Sequence, residues 1–307
     1  MKSTAHVAPL TPLASGPDAS PRHRLLDFWS LTKPRLNLLV LLTTLGGIYI
    51  AAPNGVAAAL VLHTMVGTVL VAGGAAALNQ VWERRTDRLM RRTSQRPVAS
   101  GRVQAAEAAW LGILLGGAGL TELVVAVNIT AAWVAAVTLI SYVLFYTPLK
   151  TRSSLSTLVG AVPGALPPVI GWAAATGNIG LPAAVLFGIV FFWQMPHFLA
   201  IAWMYRQDYA RAGIPMLPVL DPDGRRTGRQ ALQYTLALGP VSLMPVLVGI
   251  GNATYAAVAV LLWAAMLRSA TRFARERSNE HARALFVMSL AYLSLLWAAL
   301  IVDRVWL

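Results

Sequence analysis

The sequence contains no cysteine, so disulfides, thiolate metal ligands and a cysteine nucleophile are excluded. Charge is scarce as well: 12% of the 307 residues are charged, against roughly a quarter in an ordinary soluble domain. Negative charge is scarcest, with 12 Asp and Glu set against 25 Lys and Arg. These shortages exclude a chain surrounded mainly by water, and the 57% of hydrophobic residues point to lipid instead. The first 20 residues lack the apolar segment of a signal peptide. Residues 1–25 are read as a disordered cytoplasmic tail. Residues 26–307 are read as a single transmembrane domain, because no outside connection is long enough for a second.

What the chain does have is hydrophobic length. A bilayer core requires about 20 consecutive apolar residues per helix. Nine stretches are candidates: 36–52, 56–78, 105–127, 130–148, 154–176, 181–203, 231–251, 253–267 and 284–302. The expected fold class is all-α, a polytopic bundle of nine transmembrane helices. A net charge of +13 would suggest nucleic acid in a soluble protein, but its distribution argues otherwise. On these spans 24 of the 25 Lys and Arg fall in the N-terminal tail and in the connections after spans two, four, six and eight, with Arg304 on the other side. Cytoplasmic loops are enriched in these residues. The N-terminus is therefore expected inside and the C-terminus outside, with the lipid bilayer as partner and no nucleic acid.

The second span runs into NQVWERRTDRLMRRTSQRP, residues 79–97. Asn79, Glu83 and Asp87 recur every fourth residue, so on an α-helix they drift only about 80° around the axis over about 12 Å. Amide and carboxylate oxygens on one face suit a hard cation such as Mg²⁺, commonly shared with substrate phosphates. Arg84, Arg85, Arg88, Arg91, Arg92 and Arg96 surround them. They serve either as bidentate grips on phosphate oxygens or as anchors of the helix end in the headgroup layer. The connection after span six adds Arg206, Asp208 and Arg211. If spans two and six pack together, Asp208 faces the first acids across a polar cleft; the alternative is a local ion pair with Arg206 or Arg211. Two acidic patches bridged by one or two Mg²⁺ ions would neutralise a diphosphate and let it depart.

The pattern Asn79-x-x-x-Glu83-x-x-x-Asp87 resembles the first aspartate-rich motif, NxxxDxxxD, of the UbiA superfamily of intramembrane prenyltransferases. Further segments are most similar to its haem-farnesylating branch: LTKPRL (31–36), RPVASGR (96–102), YTPLKTRSSLSTLVGAVPGALPPVIGW (146–172), WQMPHF (193–198) and DYARAGIPMLPV (208–219). Two departures stand out. Glu83 replaces the middle aspartate, and where quinone-pathway members carry a second DxxxD motif this chain has Tyr205 and Tyr209, with Asp208 adjacent. The resemblance implies a Mg²⁺-dependent UbiA-type transferase in a bacterial-type cell membrane, its active site facing the cytoplasm. It implies Asn79, Glu83, Asp87 and Asp208 as catalytic metal ligands, and Lys33, Arg35, Arg88, Arg96, Tyr146, Lys150 and Arg206 as diphosphate contacts. The implied reaction joins farnesyl diphosphate to a vinyl group of haem b and gives haem O, for delivery to a haem A synthase or to oxidase assembly factors.

His197 lies within span six, where an ionisable residue marks a functional site by default. Imidazole is a common axial ligand of haem iron, and the alternative is that it satisfies a carbonyl freed by Pro196. His63 is read as structural. Pro163, Pro167 and Pro168, with nearby glycines, permit kinks and close backbone approach in span five. Three other functions compete: a secondary transporter, a haem chaperone, and a prenyltransferase acting on an aromatic quinone precursor. A transporter would be expected to place polar groups near the midplane of several spans, whereas the acids here gather at one face, with Glu122 and Asp303 at the other.

Overall fold

The computed structural model describes residues 21–305. Most of the expected tail lies outside the described residues, and its last five, 21–25, open a helix. That helix, α1 (Pro21–Leu31), begins with a proline, whose missing N–H is no loss in a first turn. Gln80 on α3 (Ala58–Leu89) donates to the Leu31 carbonyl and ties α1 down. Lys33 then takes a left-handed conformation, φ 49° and ψ 57°, at the turn into α2 (Pro34–Ala51). The α region is disfavoured before a proline, and a lysine held at positive φ costs about 1–3 kcal/mol.

After α3 the bundle continues with α4 (Ala105–Ala126), α5 (Ile129–Leu149), α6 (Ser156–Thr176) and α7 (Leu181–Met204). Two short helices follow, α8 (Arg206–Arg211) and α9 (Leu217–Leu220), and then α10 (Arg225–Leu247), α11 (Ala253–Glu276) and α12 (Asn279–Val305). The chain is a multi-pass membrane protein. Eight described helices are long and apolar enough to cross a bilayer. The expected seventh span is the other long helix, α10, which carries Arg225, Arg226 and Arg229 in its first turns. It ends at Leu247, short of the expected 251, because Gly249 turns the chain at φ +74°. α11 overruns the expected 253–267, its last turns carrying Arg268, Arg272 and Arg275.

Small residues set how closely the helices pack. A Cβ on Gly171 of α6 would lie 1.9 Å from the Thr44 carbonyl oxygen of α2, and one on Gly47 would lie 2.2 Å from that of Pro168. The two backbones touch, as in other membrane bundles packed through small residues. In α6 the run Pro163, Pro167, Pro168 breaks the helix between Ala165 and Pro167. α5 contains a turn of π-helix, Ser141–Tyr146, in which the Thr147 N–H and hydroxyl both reach the Tyr142 carbonyl. Such wide turns are rare and concentrate at functional sites.

A large apolar core that includes Ile50, Leu123, Ile170, Leu186, Leu238, Met266 and Leu296 runs through α2 to α7 and α10 to α12. A second cluster packs Met90, just after α3, with Ala202, Tyr209, Ala212, Ile214 and Met216. It docks the loop after α3 on the segment after α7.

Candidate active site

A cavity of about 550 Å³ opens toward the end of the bundle where α3 stops, bounded by α2, α3, α5, α6 and α7. Its floor is apolar apart from Thr138 and Gln194, with Val40, Ala72 and Pro167; its mouth is polar, with Lys33, Asn79, Glu83, Arg92, Arg96, Tyr142, Tyr146, Lys150 and Tyr209. From Ala72 to Glu83 the wall of α3 rises about 16 Å at 1.5 Å per residue.

The acid face of α3 forms one side of that mouth. Asn79, Glu83 and Asp87 are buried to 2%, 5% and 0% exposure. Each is met by a cation from elsewhere in the chain. Lys33 Nζ donates to Asn79 Oδ1 at 2.8 Å, and Lys150 Nζ to Glu83 Oε1 at 2.7 Å. Arg96 spans the two carboxylates, 2.8 and 2.9 Å from the Asp87 oxygens and 3.4 Å from Glu83 Oε2. Asn79 also donates to Thr147 Oγ1 at 3.3 Å, which links the face to the end of the π-turn.

Lys33, Lys150, Arg92 and Arg96 outnumber the carboxylates of Glu83 and Asp87 at the mouth. Burial, reinforced by the neighbouring Arg96 guanidinium, pulls Lys33 down to about 7 despite the attraction of Glu83. For Lys150 burial also works against the charged form, but the Glu83 carboxylate prevails and raises it. Arg96 is raised too, Asp87 outweighing its desolvation. An ammonium that burial presses toward neutrality, with Arg96 and Lys150 adding to it, would be stabilised in its charged form by an anion.

The donors fit a hard divalent cation. Three oxygen-bearing side chains share one buried face, and a cationic nitrogen already sits on each. Among the described residues no group of three or more His, Asp or Glu gathers, so ligand oxygens would have to complete the coordination of Asn79, Glu83 and Asp87.

Several expected site residues are placed elsewhere. Asp208 does not face the acids of α3: Arg211, three residues along α8, captures its carboxylate, and it is absent from the cavity wall. Arg206 stacks over Trp203 at 4.4 Å and bonds Asn279, tying α8 to α12. Arg88 donates to the Ala99 carbonyl at 2.6 Å and braces its own loop, and Arg35 points outward, exposed. His197 sits off the cavity, stacked on Trp193 with its Nδ1 2.8 Å from Ser289 Oγ; α12 supplies that partner, which no local spacing foretells. His63 pairs with Glu122 at 2.6 Å between α3 and α4.

Tyr142 and Gln194 of the cavity escape the sequence reading, whereas Tyr209 enters it at a position of the second DxxxD motif. Tyr142 enters through the π-turn, for which the only local signal is Pro148. Gln194 donates to the Ala161 and Val190 carbonyls at the cavity floor. Tyr209 faces the mouth, held by Met90 and its neighbours.

The chain matches the UbiA prenyltransferase family over residues 40–296. It is 47% identical over 287 residues to the protoheme IX farnesyltransferase of Solibacter usitatus (strain Ellin6076), spanning 91% of this chain and 98% of that protein. A solved digeranylgeranylglyceryl phosphate synthase superposes with a TM-score of 0.79 at 16% identity, over 92% of this chain and 99% of that one. A UbiA homolog from Archaeoglobus fulgidus, bound to GPP and Mg²⁺, superposes with a TM-score of 0.64 at 15% identity, over 90% and 99%. At such identities the likeness establishes the fold.

Proposed function

The chain belongs to the UbiA prenyltransferase family, and on that footing we propose that it transfers the farnesyl group of farnesyl diphosphate to a vinyl group of haem b, giving haem O. The observation that carries the reading is the cavity itself. It joins an apolar chamber to a mouth where two lysines and two arginines surround Asn79 and Glu83. The 47% identity to a protoheme IX farnesyltransferase supports haem as the acceptor.

In this reading the diphosphate lies at the mouth and the farnesyl chain in the chamber, where each buried CH₂ contributes about 0.8 kcal/mol. Asn79, Glu83 and Asp87 would hold the Mg²⁺, which would supply positive charge to the departing diphosphate. Lys33, Lys150 and Arg96, which stand beside Asn79, Glu83 and Asp87, would donate N–H groups to phosphate oxygens. The C1–O bond breaks and its electron pair stays on the diphosphate. The vinyl π pair then closes on C1, and the cation left beside the porphyrin ring takes up water and loses a proton. The apolar wall keeps other water from the allylic cation. The active site faces the cytoplasm, the side on which the Lys and Arg accumulate.

The test is incubation of the purified protein in detergent with haem b, farnesyl diphosphate and Mg²⁺, followed by the mass of the haem. The expected product is haem carrying a hydroxyethylfarnesyl group, lost on chelation by EDTA and restored by Mg²⁺. An unchanged haem mass with both substrates bound overturns the assignment.

A further inference from the structure

Among the described residues, the wall of the cavity mouth facing α3 offers no carboxylate. In place of one it holds a guanidinium. Arg92, carried on the loop after α3, reaches across to the segment after α7, where its Nη2 donates to the Tyr209 hydroxyl at 2.7 Å. Its guanidinium carbon lies 4.9 Å from the centre of the Tyr205 ring and 5.3 Å from that of Tyr209. Both Arg92 and Tyr209 line the mouth. The cluster is fixed from behind, because Met90, two residues before Arg92, is packed against Tyr209.

Among the described residues Arg92 makes no ion pair with a carboxylate, unlike Arg96 and Lys150 beside it. The choice of holder explains why this is useful. A carboxylate would position a guanidinium but cancel its charge. Tyrosine rings attract it through their quadrupole and carry no net charge, so Arg92 is held in place while its charge stays uncommitted. A guanidinium has five N–H donors in a planar fork matched to phosphate oxygens, and Tyr209 occupies one group of them.

We propose that Tyr205 and Tyr209 are positioning residues that act through Arg92, presenting its fork to the prenyl diphosphate on the side of the mouth opposite Asn79, Glu83 and Asp87. The inference rests on the proposed prenyl diphosphate substrate. It assigns the two ends of the diphosphate to different chemistry: oxygen-bound divalent cation on α3, and a neutrally held guanidinium across from it.

The test uses the full chain in detergent and two probes that do not react, farnesyl S-thiolodiphosphate and farnesyl monophosphate, with Mg²⁺ present and affinities read by calorimetry. Arg92→Gln is expected to weaken the thiolodiphosphate by about tenfold or more, as for loss of a hydrogen bond to a charged group, and to erase the preference over the monophosphate. Tyr209→Phe, which keeps the ring and its packing, and Tyr205→Leu, at a half-exposed site, are each expected to weaken it severalfold. In the Arg92→Gln background neither tyrosine change should add anything, the non-additivity expected of residues acting as one unit. If the tyrosine effects persist without Arg92, or if Arg92→Gln weakens both probes equally, the tyrosines are a structural staple and the inference falls. If the unaltered protein binds neither probe, the proposed substrate itself falls.

Discussion

Asp87 shows how much one buried side chain decides. It is fully buried, and the Arg96 guanidinium satisfies both its oxygens. Asp87→Ala leaves the partly buried Arg96 guanidinium with Glu83 alone, 3.4 Å away, so the folded state is expected to lose about 1–3 kcal/mol, read as a lower unfolding midpoint in detergent. The same change removes a proposed metal ligand. Haem conversion should fall by about 100-fold or more, the scale seen when a preorganised electrostatic partner is lost. A haem chaperone needing no diphosphate chemistry would still pass haem on to its recipient, so haem transfer by the variant separates the two classes. Asp208 is the contrasting case: an identical side chain at an expected site position, spent on Arg211.

Two interruptions of regular helix build the cavity at the scale of elements. The π-turn of α5 brings Tyr142 and Tyr146 to the mouth, and Thr147 closes it with a hydroxyl bond to the Tyr142 carbonyl while accepting from Asn79. Thr147→Val keeps the shape and removes both bonds. The expected outcome is a fall in Mg²⁺-dependent turnover of about tenfold, as for loss of one or two hydrogen bonds of about 1 kcal/mol each, with the unfolding midpoint lowered by only a few degrees. The α2–α6 contact is tighter. A methyl group at Gly171 meets the Thr44 carbonyl oxygen at 1.9 Å, so Gly171→Ala must push the α2 and α6 backbones apart. Overpacking of this kind costs about 1–3 kcal/mol, and thermal unfolding should report it whatever the activity.

Orientation belongs to the whole molecule, and the absence of cysteine makes it directly measurable. Ser94→Cys lies on the loop after α3, and Asn178→Cys between α6 and α7 at the other end of the bundle. In intact cells a membrane-impermeant maleimide is expected to label Asn178→Cys. Ser94→Cys should react only after the membrane is opened. The reverse pattern would put the candidate site on the outer face and overturn the cytoplasmic assignment.

The sequence by itself determined what depends on neighbours a few residues away. The lengths of the apolar runs specify membrane-crossing helices, the sidedness of Lys and Arg sets an expected orientation, and fourfold spacing puts Asn79, Glu83 and Asp87 on one face of α3. Helical periodicity governs each of these, and it is local. The tertiary structure decided which side chains meet. Lys33 reaches Asn79 across 46 residues and Lys150 reaches Glu83 across 67, while His197 turns to Ser289 across 92. Arg92 is seated between two tyrosines more than a hundred residues away. Such partners depend on how helices are rotated and how closely backbones approach, which glycines, prolines and one widened turn settle together across the bundle.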